Sequence, residues 1–551
     1  MSFTVPPLAT TMVSMTPSTN EIAMANENDD DFTNDMDDVM GEDSDFDFTS
    51  SSSVSDNDEG YCMSFIGDAF SERKSYQVDF TVQSVKDLVA SQTKEIDQVT
   101  SILGVSSKEA AALLRYYRWN KEKLFEGFME SSENVLRLAG VCVDNINNNN
   151  KQTLLFPHQL DADDLPFCCQ ICFDDDEDVM TAGALCGHRY CVDCYRYYLT
   201  QKINEEGNSQ HIRCPHEKCT VHVDETTIQQ VLAYGDQAIV NDGEVTIAKY
   251  RQLLNKAFVD DSDQLRWCPA PDCDYAVECQ IPSTSLMTIV PTVQCACNNL
   301  FCFGCGQADH QPAVCSMVKS WAEKSKDDSK TAKWMMNNTK GCPKCTAIIE
   351  KNGGCNFMRC SKCHYSFCWV CLHSLTTSHH CNRFHGEDVS DSEDARQKNA
   401  HYLKRYLHYY ERYHNHEKSA KLDQELYEKT ELKMEEMQHR SDLSWIEVQF
   451  LKIAVDVAVE CRTTLKWTYA FAYYLNRTNE TTLFEDNQQD LELATEQLSA
   501  LLEQPFDKEK WPMWRRDVLD KTAYVRSRRE VLLGDTAKGL ADSRWTFIEL
   551  K

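Results

Sequence analysis

Twenty-four of the 27 cysteines in this 551-residue chain crowd between Cys168 and Cys381, mostly as C-x2-C pairs alternating with histidines. This pattern limits folding more than any other feature, because a C-x2-C turn presents two thiolates to one metal ion. The N-terminus lacks a basic stretch followed by an apolar one, so secretion and disulfide formation are not expected. Nor does any apolar run approach the roughly 20 residues a bilayer needs; Ile453–Val459 is broken by Asp456. The expectation is an intracellular metalloprotein with no membrane partner, cytoplasmic, with the nucleus as a second compartment.

Zinc takes four Cys or His ligands, and the cysteine-rich block divides accordingly. Cys169, Cys172, Cys186, His188, Cys191, Cys194, Cys214 and Cys219 supply two sites. A crossed arrangement puts Cys169, Cys172, Cys191 and Cys194 on one ion and Cys186, His188, Cys214 and Cys219 on the other, a spacing that resembles a RING. Cys268, Cys273, Cys295 and Cys297, followed by Cys302, Cys305, His310 and Cys315, suit two sequential sites. The third group is Cys342, Cys345, Cys360 and Cys363, then Cys368, Cys371 and Cys381 with one nearby histidine. Six ions need 24 ligands, 21 of them cysteines, which leaves Cys168, Cys279 and Cys355 within the block. Cys168 has the look of a bystander and Cys279 of a small packed residue. Cys355 follows Gly353-Gly354 between two zinc pairs. A nearby cation and a tight turn would favour its thiolate, so it stays divided between a nucleophile and a spare thiol.

The flanks differ in character. Residues 1–60 hold 15 Asp and Glu and no Lys or Arg, about half of the net charge of −31. Such a segment offers little apolar area to offset ordering entropy. From Val82 to Met129 apolar residues recur at helical spacing; Ser106 and Glu109 form a capping box, and Asn120 caps a third helix. The run before Asn120 resembles the third-helix entry of a ubiquitin-associated (UBA-like) domain, a pattern that a bundle with no binding role shares. Beyond Ala395 long charged helices continue to the end, with Tyr402, Tyr406, Tyr409, Tyr410 and Tyr413 at core spacing. A pI near 4.9 argues against nucleic acid as a partner. The basic clusters Arg515-Arg516 and Arg526-x-Arg528-Arg529 are expected on solvated helix faces.

In series, these features resemble a RING-between-RING (RBR) ubiquitin ligase of the Ariadne family. The likeness extends to Ile349-Glu350-Lys351-Asn352-Gly353-Gly354-Cys355-Asn356, Phe367-Cys368-Trp369-Val370-Cys371, Tyr406–Tyr413 and Ala494–Ser499. It implies a multidomain fold: small zinc-binding α+β modules between an α-helical UBA-like domain and a C-terminal α-helical Ariadne domain. The expected boundaries are an acidic disordered tail at 1–80, the UBA-like domain at 81–135, a linker at 136–165 and the first RING at 166–222. A linker at 223–247, the in-between-RING (IBR) module at 248–318, a linker at 319–338, the second RING at 339–385 and the Ariadne domain at 390–551 follow.

The resemblance further implies that the first RING docks a ubiquitin-charged conjugating enzyme through Ile171 and Pro215. Ubiquitin would pass to Cys355 as a thioester and then to a substrate lysine. The Ariadne helices would cover Cys355 until a partner, a neddylated cullin-RING ligase, displaces them. Two departures bear on the second step. The family's histidine two residues after the cysteine is Phe357 here, and the glutamate before its Phe-Cys-Trp run is Ser366. His364 is the nearest substitute base, and a noncatalytic adaptor or pseudo-ligase is the alternative. In the compressed run Ser378-His379-His380-Cys381, His379 is assigned as the last zinc ligand because His-x-Cys leaves each ligand room to turn inward; His380 and His373 stay open.

Overall fold

The computed structural model describes residues 74–141, 167–176, 179–327, 339–375, 381–386, 395–441, 445–505, 507 and 509–548, all within the compact unit Glu72–Lys551. The acidic segment before residue 74, the Asn-rich linker, His379 and His380 lie outside the described residues.

Strand β1 (Phe80–Gln83) precedes four helices: α1 (Val85–Leu103), α2 (Ser107–Tyr116), α3 (Lys121–Glu130) and α4 (Ser132–Leu138). Ser84 and Ser106 both close capping boxes, with Asp87 and Glu109, and the Asn120 side chain accepts from Lys123 N–H. Val99, Leu113, Leu114, Leu124, Val135 and Leu136 form the core of this bundle. The last two come from α4, a helix beyond the three expected, which fills the side that three short helices leave open.

The first zinc module has a hairpin of β2 (Thr181–Gly183) and β3 (Arg189–Cys191), followed by α5 (Val192–Thr200). The stretch 223–247, expected as a linker, is instead α6 (Glu225–Leu232) and half of α7 (Gln237–Asp260). Ile228, Val231, Leu232, Tyr250 and Leu254 from these helices bury against Tyr195 and Leu199 of α5, so the segment completes the module's core. Next come β4 (Leu265–Trp267), β5 (Ala276–Cys279), β6 (Thr292–Gln294), β7 (Leu300–Cys302) and α8 (Cys315–Asp327). Helix α8 occupies the first half of the expected 319–338 linker.

Strand β1 is antiparallel to β5, with Val82 opposite Val277. The expected tail to residue 80 therefore ends earlier than its composition suggests. Lys74 pairs with Glu530 at 2.6 Å, Gln311 Nε2 donates to the Tyr76 carbonyl at 2.9 Å, and Val78 is buried with Cys268 and Phe301. Two further hairpins follow, β8 (Thr339–Gly341) with β9 (Ile348–Glu350), and β10 (Phe357–Arg359) with β11 (Ser366–Cys368).

The C-terminal bundle comprises α9 (Ala395–Ser441), the short α10 (Trp445–Val448), α11 (Phe450–Tyr474), α12 (Asn479–Leu502) and α13 (Trp511–Ala541). Sixteen of the 25 residues of α11 are buried, which makes it the central helix. Tyr406, Tyr409, Tyr410 and Tyr413 are core residues, whereas Tyr402 is 57 % exposed, so the aromatic stripe starts one turn later than expected. The stripe surrounds Trp321 of α8, with centroids 5.6 Å from Tyr406 and 5.4 Å from Tyr413. Arg528 and Arg529 also depart from expectation: they pair with Asp490 and bond to Thr464 Oγ1 rather than lie on a solvated face. Among the described residues no helix is long and apolar enough to cross a membrane.

Trp321 joins the second zinc module to the helical bundle by burial alone. Trp321→Ala is expected to cost about 3–5 kcal/mol, read as a lowered denaturation midpoint with faster amide exchange in α9 and α11.

Candidate active site

Five four-residue groups bring their ligand atoms within 4.8 Å of one another: Cys169/Cys172/Cys191/Cys194, Cys186/His188/Cys214/Cys219, Cys268/Cys273/Cys295/Cys297, Cys302/Cys305/His310/Cys315 and Cys342/Cys345/Cys360/Cys363. Cys368, Cys371 and Cys381 also converge. Sulfur–sulfur separations of 3.6 Å recur, as in Cys172–Cys191, Cys268–Cys297 and Cys342–Cys363. A disulfide would bring them to about 2 Å. Thiolates on a tetrahedral zinc, each about 2.3 Å from the metal, sit about 3.8 Å apart, so the donor sets fit zinc. His310 Nδ1 lies 2.6 Å from the Ala313 carbonyl, which orients Nε2 toward Cys305 at 3.2 Å.

The C-x2-C turns share one backbone device. The residue after the second cysteine adopts positive φ at Phe173 (59°), Thr346 (58°), His364 (57°) and Leu372 (64°). Each of these four sends its N–H back to the carbonyl of the turn's first cysteine, at 2.8–2.9 Å. Only a turn held at both ends tolerates such conformations in residues with side chains. His364 thus belongs to a metal-binding turn. It lies at the closed end of the β10–β11 hairpin, while Cys355 precedes the open end, so the hairpin length separates the substitute base from the thiol. His373 is exposed, with Nδ1 3.1 Å from the Cys371 carbonyl. Ile171, 47 % exposed, and half-buried Pro215 each sit beside a zinc ligand on the first module. Cys168 is exposed and Cys279 is buried in β5.

Cys355 is 5 % exposed, and helices cover it. Its Sγ accepts from Phe357 N–H at 3.3 Å and lies 3.6 Å from the Glu496 carbonyl. The two preceding glycines allow close approach. A Cβ on Gly354 would meet Asp423 Oδ1 at 1.8 Å, and one on Gly353 would meet Glu503 Oε1 at 2.5 Å. Glu503 accepts from Cys355 N–H at 3.3 Å, and Glu496 accepts from Asn356 Nδ2 at 2.6 Å. Arg462, fully buried on α11, donates to the Gly354 carbonyl at 3.1 Å and to Asp423 Oδ2 at 3.1 Å, and pairs with Glu496.

These surroundings set the charge states. Burial, reinforced by Glu496, pushes the Cys355 thiol far above its ordinary value, against the thiolate expected from the sequence. Burial also raises Glu503. Desolvation works against the Arg462 cation, but Glu496 and Asp423 outweigh it and hold the guanidinium charged. As placed, Cys355 is a neutral, covered thiol.

Sequence reasoning missed Asp423, Arg462, Glu496, Ser499 and Glu503. The available signal was spacing: Asn415, Ser419 and Asp423 recur every four residues on α9, and Glu496, Ser499 and Glu503 at three and four. Each row reads as an ordinary solvated face until the opposing module is in place.

Comparison with known proteins agrees with this architecture. Family models match in series: the UBA-like domain of E3 ubiquitin-protein ligase ARIH1 at residues 90–130, a C3HC4-type zinc finger (RING finger) at 169–219, an IBR domain, a half RING-finger domain, at 248–315, a second IBR domain at 337–383 and an Ariadne domain at 404–520. The chain is 48 % identical over 480 residues to E3 ubiquitin-protein ligase dbl4 of Schizosaccharomyces pombe, covering 86 % of this chain and 90 % of that one. It is 38 % identical to human E3 ubiquitin-protein ligase ARIH1, covering 85 % and 82 % of the two chains. Drosophila melanogaster ariadne-1 is 38 % identical over 90 % of this chain and 96 % of its own. Three zinc modules in series between helical flanks define an RBR-type E3 ubiquitin transferase, whose partners are ubiquitin and a ubiquitin-conjugating enzyme. Within that class the chain belongs to the Ariadne family.

The contact at Gly354 yields a direct test. Gly354→Ala must displace the Asp423 side chain from its place against residue 354 and from its bonds to Arg462 and Ser499, so Cys355 alkylation by iodoacetamide, followed by peptide mass spectrometry, is expected to accelerate about tenfold.

Proposed function

We propose that Cys355 accepts ubiquitin as a thioester and passes it to a substrate lysine, and that the Ariadne helices inhibit this reaction by covering the thiol. The observation carrying the proposal is the position of Cys355: a thiol outside the zinc sets, between two of them, sealed by carboxylates from another domain.

In the first step the Cys355 thiolate attacks the carbonyl carbon of ubiquitin's C-terminal glycine. A new C–S bond forms as the bond to the conjugating enzyme's sulfur breaks, and that sulfur leaves as a thiolate. The exchange is nearly isoenergetic and needs only a thiolate and access. In the second step a lysine amine attacks the same carbonyl, a C–N bond forms, and Cys355 leaves as the thiolate. The amine's proton must go elsewhere. Phe357 cannot take it, so it passes to water, and discharge proceeds without the roughly 100- to 10,000-fold gain of a positioned base.

Six zinc ions hold the modules in this reading, the last one completed by His379 beside Cys368, Cys371 and Cys381. When bound, zinc supplies folding free energy rather than chemistry, and Arg412 of α9 steadies the last site by donating to the Cys381 carbonyl at 2.7 Å. Ile171 and Pro215 dock the conjugating enzyme. A neddylated cullin-RING ligase bound at the UBA-like domain is the expected activator, and the expected compartments are the cytoplasm and, second, the nucleus.

Two outcomes are expected. Cys355→Ser, mixed with charged conjugating enzyme and opened by Glu496→Ala with Glu503→Ala, forms a ubiquitin oxyester that hydroxide releases and thiol does not; absence of any adduct at position 355 rejects the thioester. Phe357→His in the opened chain raises lysine discharge toward the roughly 100-fold that a base contributes, with loading of Cys355 unchanged; equal discharge rates would show that position 357 takes no part.

A further inference from the structure

Lys351 is a buried cation that neither the zinc sites nor the transfer steps use. It lies four residues before Cys355 and is 4 % exposed. Its ammonium donates to Asn356 Oδ1 at 2.6 Å and to Ser419 Oγ at 2.9 Å, with Asn415 Oδ1 at 3.5 Å. These partners belong to different parts of the molecule. Ser419 and Asn415 are on α9, whereas Asn356 follows Cys355 and is itself anchored, its carbonyl accepting from Trp369 N–H at 2.9 Å beside the zinc ligand Cys368.

Withdrawal of the helices would sort these contacts. Glu496 and Glu503 leave with α12, Asp423 with α9 and Arg462 with α11. Lys351 keeps Asn356 because both travel with Cys355. The neighbouring Glu350 is directed elsewhere, toward Lys418. The thiol therefore loses the Glu496, Glu503 and Asp423 carboxylates together with the Arg462 guanidinium and keeps the Lys351 ammonium. Phe357, next along the chain, brings no charge.

We infer that Lys351 is a positioning residue for the ubiquitin-accepting thiol: it pins Asn356 and supplies the positive charge that favours the Cys355 thiolate once the helices withdraw. The inference rests on the thioester reading above. Lys351 is held on Asn356, the residue after Cys355, and a charged Cys355 favours its ammonium; the same attraction favours the thiolate in return, and a nearby cation is a usual way to activate a cysteine. In the covered state both members of the pair are suppressed: burial lowers Lys351 to about 8, even against Glu496, and raises the thiol. Opening rehydrates both, so the ammonium, already the main form at neutral pH, is secured and the thiolate can form beside it.

The test uses the full chain opened by Glu496→Ala with Glu503→Ala, with iodoacetamide as the probe and Cys355 alkylation followed by peptide mass spectrometry from about pH 6 to about pH 10. Removing a cation disfavours the thiolate, so Lys351→Met is expected to move the alkylation midpoint up by about one unit and to slow the reaction about tenfold at neutral pH. Lys351→Arg restores most of the loss. Lys351→Gln keeps a donor for Asn356 without charge and is expected to follow Met; it carries the comparison if Met fails to retain zinc. Gln and parent profiles that superimpose, or an Arg variant that behaves like Gln, would overturn the assignment. Failure of the underlying reading looks different: the opened parent, with Lys351 intact, would then form no thiol-reversible ubiquitin adduct at Cys355.

Discussion

Thiolates 3.6 Å apart repel unless a cation lies between them, and the centre of this protein is organised around groups of just that kind. The hairpins from β2 to β11 have strands of three or four residues, too short to support themselves in water. Their C-x2-C turns hold side-chain-bearing residues at positive φ, which costs free energy that only an external constraint offsets. Structural zinc contributes on the order of 10–16 kcal/mol per site, well above the roughly 1–3 kcal/mol of each strained turn. Metal therefore dictates the local backbone, and the backbone dictates where Cys355 stands. Cys355 lies five positions after the end of β9 and five before the ligand Cys360. The thiol has little freedom of its own; whether it can react depends on what lies over it.

What lies over it is a charged seam rather than an apolar plug. Arg462, Asp423 and Glu496 are all under 3 % exposed and satisfy one another as well as the Gly354 carbonyl. Such a network adds little net stability over apolar packing, yet removing one member costs about 3–5 kcal/mol because its partners are left buried and unpaired. That combination suits a closure meant to be reversible. Each separated face of the seam can recover its hydration, which an apolar plug cannot. Taking a two-state equilibrium from 1:99 to 99:1 needs about 5.5 kcal/mol of differential binding, less than the roughly 8 kcal/mol of a micromolar complex.

Five of the six expected ligand sets, which converge in the structure, were legible because zinc chemistry is local: two ligands per turn, within a few residues. The crossed pairing of Cys191 and Cys194 with Cys169 and Cys172 follows from the same spacing. Capping at Ser106 and Asn120 was legible for the same reason, since it closes within one helical turn. Features that depend on distant partners were not. In strand β1, Thr81 finds its partner 197 residues later in Glu278 of β5, and nothing in Phe-Thr-Val-Gln names that partner. Helices α6 and α7 looked like a linker because their apolar residues, Ile228, Val231 and Leu232, are few and meet a core supplied by α5. Glu496 lies on a charged helix and Arg462 among the apolar residues of α11, and their contacts with Asn356 and the Gly354 carbonyl exist only once the third zinc module has docked. The placement of His364 was not legible either: proximity in sequence set it near Cys355, but the β10–β11 hairpin lies between them.

Burial of Cys355 has a second chemical effect that follows from the first. The thiolate, not the thiol, reacts with peroxide and with disulfides as well as with thioesters. A covered group whose surroundings hold it protonated is protected from all three at once. An enzyme that keeps a permanently activated cysteine must rely on its compartment to keep that cysteine reduced. In the proposed reaction, the same desolvation that would withhold the thiol from charged conjugating enzyme also withholds it from oxidants. With the proposed activating cation, Lys351, on the cysteine's own module and the carboxylates on the cover, a single displacement would reverse both effects. The cover acts on ionisation as well as on access, so partial opening that admits water without removing Glu496 would hydrate the thiol and still leave it facing a carboxylate.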